Sequence, residues 1–423
     1  MRARGWLSTT LLALHSTAPA LACSFIVANF DLAADKQLLK HANFYNQRRG
    51  PDWTATRSVN GWTFVHNLLT MTGAFTPQPF VSADGSTVAL FNGEIYNYRT
   101  LATKLSGNED AYKSDGYSLL PAYERWGEKF VEHLEGEFAI VLIDFRRRRA
   151  LLSTDVFSTK PLWYAAWRDA TGTPRFLAST YESVLDRFGA PAKARTQADA
   201  NEALIFSWGG KGQQASLGGF GEPHARFPLV KWDLRQHKTT TVDWVAAFHE
   251  AVRVRSRGIK HGLFIGLSGG YDSGAIAASL TYQRTRFEAW SVKVGVDDAQ
   301  VIQERAAYIK QAPANFTYID LKHNTDGHGD FSSEKAWLVS RLEPYQQTME
   351  DSNHGSRQQF RPLYEDPASV ALSAVSRRAR AKGAIIYLSG AGADEIISDY
   401  GINGTRIAGM SCFRGVFPAD LTT

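Results

Sequence analysis

Between Gly262 and Gly274 an apolar run ending at Leu267 is followed by Ser268-Gly269-Gly270-Tyr271-Asp272-Ser273, and then by small residues that read as a helix. A glycine loop between strand and helix aims backbone N–H groups at one spot, where the helix dipole adds positive potential. An anion of phosphate type belongs there. Ser268 and Ser273 add hydroxyl donors, whereas Asp272 cannot help an anion directly and makes sense as a Mg²⁺ ligand beside it. An ordinary turn uses two glycines, but it does not need two serines and an aspartate in this order. The spacing of a Walker loop is absent. A second segment, Leu388-Ser389-Gly390-Ala391-Gly392-Ala393-Asp394-Glu395-Ile396, again runs from an apolar stretch into glycine-spaced acids.

The first of these segments resembles the Ser-Gly-Gly-x-Asp-Ser loop of the ATP pyrophosphatase enzymes, which split ATP between its α and β phosphates. The second is similar to the Ser-Gly-Glu-Gly-x-Asp-Glu stretch that closes the same site in the asparagine synthetase family. The resemblance implies that Leu267, Ser268, Gly269, Gly270, Asp272, Ser273, Ser389 and Gly390 contact ATP. It further implies that Val294 lines the adenine pocket and that Asp272 and Asp394 share Mg²⁺.

The first half of the chain holds Asn46-Gln47-Arg48-Arg49-Gly50-Pro51-Asp52, Phe91-Asn92-Gly93-Glu94-Ile95-Tyr96-Asn97-Tyr98 and Ser114-Asp115-Gly116-Tyr117. A free amino acid needs a cation for its carboxylate and an anion for its amine, which Arg49 and Asp115 could supply. Acyl transfer from an amide needs donors aimed at the developing oxyanion, and the Asn92 side chain and Gly93 N–H can provide them. Taken singly, each residue also reads as a turn residue or a surface ion pair. Together the three segments resemble the class II glutamine amidotransferases. That resemblance implies glutamine binding by Arg49, Asn92, Gly93, Glu94 and Asp115, and a nucleophilic cysteine at the first position of the mature chain.

Cys23 follows Ala20-Leu21-Ala22, an A-x-A cleavage signal, so removal of a leader makes it residue one. Its freed α-amine, of reference pKa about 7.7–8.0, suits a thiol of about 8.5 near neutral pH. A lone cysteine before an apolar strand is otherwise a small buried hydrophobe. The cleavage signal and the downstream motifs reverse that preference for Cys23, and it stands for Cys412.

The elements that must position these residues change character along the chain. Up to about Thr180 short apolar or alternating runs read as strands: Phe25 to Phe30, Trp62 to Leu69, Thr87 to Phe91, Phe138 to Phe145, Pro161 to Trp167 and Phe176 to Ser179. Asp115 to Trp126 reads as a helix between them, and the basic run Arg146 to Arg149 as a hairpin turn. The expected fold here is an α+β N-terminal nucleophile amidotransferase sandwich. Later, strands at Leu263 to Leu267, Ala289 to Val296, Phe316 to Leu321 and Ile385 to Leu388 alternate with helices at Val242 to Val254, Asp272 to Tyr282 and Ala299 to Ile309. A further helix is opened by Asp366 and Pro367 and closed by Gly383. That alternation predicts an α/β parallel-sheet ATP pyrophosphatase domain, incomplete at its C-terminal side. The domain boundaries follow: a cleaved leader 1–22, an amidotransferase domain 23–208, a glycine-rich linker 209–228 and a synthetase-like domain 229–423.

A length of 423 residues suits two domains, and a net charge of +5 with basic residues scattered among acids gives no nucleic-acid stripe. Two cysteines provide neither a disulfide framework nor a four-cysteine zinc site. No later stretch reaches the roughly 18–20 apolar residues of a membrane span. The acid-free start with Arg2 and Arg4 reads as a secretory leader, with an organelle transit peptide as the alternative and a cytoplasmic location if the leader is not used. A homodimer is compatible with this reading.

The expected function is asparagine synthesis from aspartate, glutamine and ATP. Alternatives are amide formation on another carboxylate, or a glutaminase-only or inactive binding protein. Several departures bear on this. Ala391 stands at the family glutamate, Thr180 replaces an acid, and Gln346-Gln347-Thr348 lies where acceptor-pocket residues are expected. No Glu-x-Arg-x-Pro-Phe-Leu-Asp element or lysine-bearing helical region occurs before Thr423.

Overall fold

The computed structural model describes residues 23–208, 223, 225–229, 244–293, 299–324, 327–342, 348–350, 357–359 and 363–390. Two compact units emerge, one spanning Leu21–Asp233 and the other Leu234–Thr423 together with Met1–Ala20.

The first unit contains two six-stranded antiparallel sheets. Its strands are β1 (Ser24–Ala28), β2 (Trp53–Val59), β3 (Trp62–Leu68), β4 (Phe80–Val81), β5 (Thr87–Ile95), β6 (Gly136–Asp144), β7 (Arg149–Thr154), β8 (Trp163–Arg168), β9 (Pro174–Ser179), β10 (Arg195–Gln197), β11 (Glu202–Ser207) and β12 (Ala225–Pro228). One sheet runs β10-β8-β9-β1-β3-β2 and the other β12-β11-β7-β6-β5-β4. Their facing sides share one apolar core, in which Phe25, Val27 and Phe64 meet Val88, Leu90, Val141 and Phe206. Period-two alternation sends the remaining residues outward, where helices cover them. Helices α1 (Lys36–Arg49) and α4 (Glu182–Arg187) lie over Ile26, Val65 and Leu177 of the first sheet. On the second sheet, α2 (Tyr98–Ser106) and α3 (Leu119–Trp126) cover Ala89, Phe91 and Ile140. The unit is a four-layer sandwich with β1 in the middle of its sheet, so Cys23 sits at the mouth of the core.

The helical stretch expected at Asp115 to Trp126 is present, with its first turn tighter than an α-helix, and the expected linker is corrected. The helix expected from Asp115 begins as a 3-10 turn, Asp115–Ser118, and becomes α-helical only from Leu119. Asp115 is spent on the turn, accepting from the N–H of Gly116 at 2.8 Å and of Ile95 at 2.9 Å. Residues 225 to 228, read from composition as linker, instead pair with β11 as an edge strand. Pro228 is tolerated because an edge leaves one side of the strand without ladder partners. The expected hairpin at Arg146 to Arg149 falls between β6 and β7, with Arg148 at φ +56°.

The second unit has a four-stranded parallel sheet of β13 (Gly262–Gly266), β14 (Phe287–Lys293), β15 (Ala314–Asp320) and β18 (Ala384–Leu388), in the order β15-β14-β13-β18. A separate two-stranded ribbon pairs β16 (Thr348–Glu350) with β17 (Arg357–Gln359). The helices are α5 (Trp244–Ser256), α6 (Tyr271–Tyr282), α7 (Ala299–Tyr308), α8 (Phe331–Val339) and α9 (Pro367–Ala381). Asp366 caps α9 by accepting from Ala368 and Ser369 N–H, with Pro367 in the first turn. Phe264 and Trp290 pack against Ala374, Val375 and Ala379 of α9. No helix of the described residues is long and apolar enough to cross a membrane. Val294, Ala391, Asp394, Cys412 and most of the linker lie outside the described residues.

Candidate active site

Cys23 immediately precedes β1, half-buried, where its Sγ accepts the N–H of Leu69 at 3.4 Å and lies 3.6 Å from the Leu69 carbonyl oxygen. Burial pushes its thiol up to about 12. The Leu69 N–H opposes that shift, the charges of Glu94 and Asp115 add to it, and Arg49 draws it back. These four groups therefore share one electrostatic neighbourhood although they come from the start of β1, the end of α1, β5 and the turn at Asp115.

Arg49, at the last turn of α1, is buried. Its Nε lies 3.5 Å from the Cys23 carbonyl oxygen and its guanidinium sits over the Tyr181 ring, while Nη2 has no partner. An uncommitted, buried guanidinium nitrogen is costly unless an anion arrives. The opposite charge is supplied by two carboxyls, the buried Asp115 and the half-buried Glu94. Burial raises both Glu94 and Asp115, and their proximity raises Glu94 further; Thr72 Oγ1, donating to Glu94 at 2.7 Å, opposes this. Lys160 opposes the rise of Glu94 without cancelling it, so a further cation between the two carboxyls would favour ionisation of both.

Asn92 is fully buried with neither end of its amide bonded, and it lies on the same face of β5 as Val88 and Leu90 of the inter-sheet core. Next to it Gly93 has φ +144°, and a Cβ there would lie 1.9 Å from the Glu137 carbonyl oxygen. Only glycine lets β5 approach β6 so closely at this point.

Several contributors were invisible in the sequence. His66, opposite Phe25, is fully buried with both ring nitrogens unbonded, and burial lowers its pKa to about 3, so it is neutral here. Asn67 donates to Ser24 Oγ (3.1 Å) and Asn43 Oδ1 (2.9 Å), tying β3, β1 and α1 together beneath Cys23. Thr180, noted as a departure, has a structural use: its Oγ1 accepts the Phe25 N–H at 3.2 Å and so fixes β1 two residues beyond Cys23. Asp155 accepts from the N–H of Phe138, Phe157 and Thr159 and organises a turn without contacting the thiol site.

In the second unit, β13 and β18 are parallel neighbours with Ile265 opposite Leu388, so the loops leaving their carboxyl ends lie side by side. Strand order reverses between them, and in open parallel sheets that is where ligands bind. A Cβ on Gly390 would approach Asp272 Cβ to 2.5 Å, so the two glycine segments are in contact. Within the loop, Ser273 Oγ accepts from Ser268 N (3.1 Å) and pairs with Ser268 Oγ (2.9 Å), which in turn accepts from Gly270 N (3.2 Å). Leu267 is held by its N–H on the Trp290 carbonyl at 2.7 Å. Arg305 of α7, not anticipated from sequence, donates from Nη1 to the carbonyls of Ser268 (2.5 Å) and Gly270 (2.6 Å).

Residues 22–208 match the glutamine amidotransferase domain family. Asparagine synthetase [glutamine-hydrolyzing] 2 of Arabidopsis thaliana is 26% identical over 370 residues, covering 84% of this chain and 56% of that protein. Asparagine synthetase [glutamine-hydrolyzing] 2 of Oryza sativa subsp. japonica is 32% identical over 142 residues, 33% of this chain and 24% of the other. Asparagine synthetase [glutamine-hydrolyzing] 1 of Saccharomyces cerevisiae is 27% identical over 238 residues, 55% and 38% of the two chains. The chain thus spans little more than half the length of the Arabidopsis protein and less of the others. It is similar along most of its own length to a glutamine-hydrolysing asparagine synthetase.

Proposed function

We propose that this chain hydrolyses glutamine at Cys23 and binds magnesium ATP at residues 268 to 273, the two halves of a glutamine-dependent asparagine synthetase. The observation carrying this reading is the unbonded Nη2 of the buried Arg49 guanidinium beside Cys23, in one electrostatic neighbourhood with two carboxyls, Glu94 and Asp115, that stay raised despite the nearby Lys160. A zwitterionic amino acid satisfies both needs at once.

In the proposed first half-reaction the leader 1–22 is removed and glutamine binds with its carboxylate on Arg49 and its ammonium at Glu94 and Asp115. Burial keeps the resting thiol neutral, so proton removal by the freed α-amine accompanies attack of Sγ on the carboxamide carbon. The oxyanion meets Asn92 Nδ2 and Gly93 N–H. Collapse transfers a proton to the leaving nitrogen and expels ammonia, and water then hydrolyses the thioester to glutamate. A cleaved leader also places the mature protein in the secretory pathway or an organelle.

In the second half, the aspartate side-chain carboxylate attacks the α-phosphorus of ATP, pyrophosphate leaves, and ammonia displaces AMP to give asparagine. The donor set fits Mg²⁺, which takes one or two carboxylates and completes its shell with phosphate and water. Asp272, packed against Gly390, would hold it with Asp394, and the bound ion would neutralise phosphate charge. Ser268, Ser273, Ser389 and Gly390 would orient the phosphates, and Leu267 and Val294 would flank the nucleotide. At Ala391 a methyl can neither organise an acceptor amine nor take a proton from attacking ammonia. This favours, as a second reading, a different carboxylate in place of aspartate.

Saturating magnesium ATP is expected to raise the melting temperature of the full chain, since a ligand at 100 times its Kd stabilises by roughly 2.7 kcal/mol. Asp272→Asn should remove most of that shift. Pyrophosphate release with aspartate and glutamine is expected to be slow because of Ala391. No shift in the wild-type chain would overturn the ATP half, and brisk release with another carboxylate would favour the second reading.

A further inference from the structure

We infer that Arg305 is a positioning residue that presets the phosphate-binding loop, an inference resting on the reading of residues 268 to 273 as an ATP site. Arg305 lies on α7, outside both glycine segments, yet its Nη1 donates to the carbonyls of Ser268 and Gly270 at 2.5 and 2.6 Å. In a trans peptide unit the C=O and the following N–H point in opposite directions. Neither of these peptide units is cis. Arg305 holds the Ser268 carbonyl and, together with Ser273 Oγ (3.2 Å) and the Gly274 N–H (3.3 Å), the Gly270 carbonyl, so the N–H groups of Gly269 and Tyr271 are turned to the far side, away from the guanidinium. Both belong to the stretch that opens α6, where backbone donors and the dipole favour an anion.

Two further features show that the placement is built in. Gly274 makes room for the guanidinium, because a Cβ there would stand 2.7 Å from Arg305 Cζ. The cation also lies against the first turn of α6, the positive end of that helix, an arrangement that costs stability until an anion is bound nearby. Arg305 thus holds ready donor directions that the loop would otherwise have to find on binding, which raises affinity by preorganisation. Both bonds leave one nitrogen, whose two N–H directions are fixed in the guanidinium plane, whereas the donors of a lysine ammonium rotate freely and hold no such direction.

The test measures Kd for magnesium ATP and for magnesium pyrophosphate on the full chain. Arg305→Ala is expected to weaken both by roughly tenfold or more, since the donors must then be ordered at the moment of binding. Millimolar guanidinium should restore much of the loss in this variant and leave wild type unchanged. Arg305→Lys should bind more weakly than wild type despite its charge. Wild-type affinity in both variants would overturn the inference while leaving the ATP site standing, and wild-type affinity in Arg305→Lys alone would show that charge suffices and overturn the role in aiming the peptide units. Failure of the wild-type chain to bind either probe would instead remove the ATP reading on which the inference rests.

Discussion

Glutamine hydrolysis is expected to fall by roughly 10⁴-fold or more when Cys23 is replaced by alanine, the scale of removing a covalent nucleophile. The fold should tolerate the change. Among the described residues Cys23 Sγ is engaged by Leu69, at 3.4 and 3.6 Å, and the polar anchoring of the strand is carried by Ser24, Asn67 and Thr180. Cys23→Ser should be nearly as inactive, because a hydroxyl is far harder to deprotonate than a thiol at the same buried position. The melting-temperature shift with magnesium ATP should persist in both variants, since the nucleotide loop belongs to the other unit. Glutaminase activity retained in Cys23→Ala would remove Cys23 as nucleophile, and loss of both functions together would point to misfolding of the whole chain.

Glutamine binding should strengthen as pH rises from about 5 to about 8, with release of a proton. The sign comes from the acidic pair. Burial and mutual repulsion raise Glu94 and Asp115, with Glu94 held up to about 8, against the neighbouring Lys160 and the Thr72 hydroxyl. Carboxyls raised in the folded state retain protons that the unfolded chain has lost, so the substrate-free protein loses stability as pH climbs through this window. An ammonium entering the site needs the pair ionised, so binding expels a proton wherever the empty site still holds one. Calorimetric titration in buffers of different ionisation enthalpy reads this directly. Asp115→Asn should weaken glutamine by about 2–5 kcal/mol, the range for truncating a buried charged partner, and should flatten the pH dependence. Affinity independent of pH in the wild-type chain would mean that the ammonium sits elsewhere.

What could be read in the sequence was whatever carried a local pattern. The strands around Phe25, Phe64 and Phe138 alternate or run apolar because they line the shared core, and the Ser268 to Ser273 loop is legible because its chemistry is contiguous. Helix α1 gave no such signal, since the face it buries consists of Ala42, Asn43, Asn46 and Arg49, residues at helical spacing but mostly polar. Strand β2 was missed for the opposite reason: it is an edge strand, and most of its residues face solvent. His66 and Asn67 sit in an apolar run, where a polar letter says nothing of what it touches. Arg305 looks like any charge on a solvated helix, and only the packing of α7 beside the loop gives it a task. The buried polar atoms left without hydrogen bonds, Nη2 of Arg49, the Asn92 amide and the His66 ring nitrogens, emerge only when the hydrogen bonds of the folded chain are followed.

The account stands or falls on Cys23 being both the first residue and the nucleophile. Protein from its native source can be treated with an electrophilic diazoketone analogue of glutamine and mapped by peptide mass spectrometry. The account predicts an N-terminal peptide that begins at Cys23 and carries one adduct on its sulfur, with labelling suppressed by excess glutamine. An N-terminal peptide extending ahead of Cys23, or an adduct absent from Cys23 while glutamine is still hydrolysed, would contradict it.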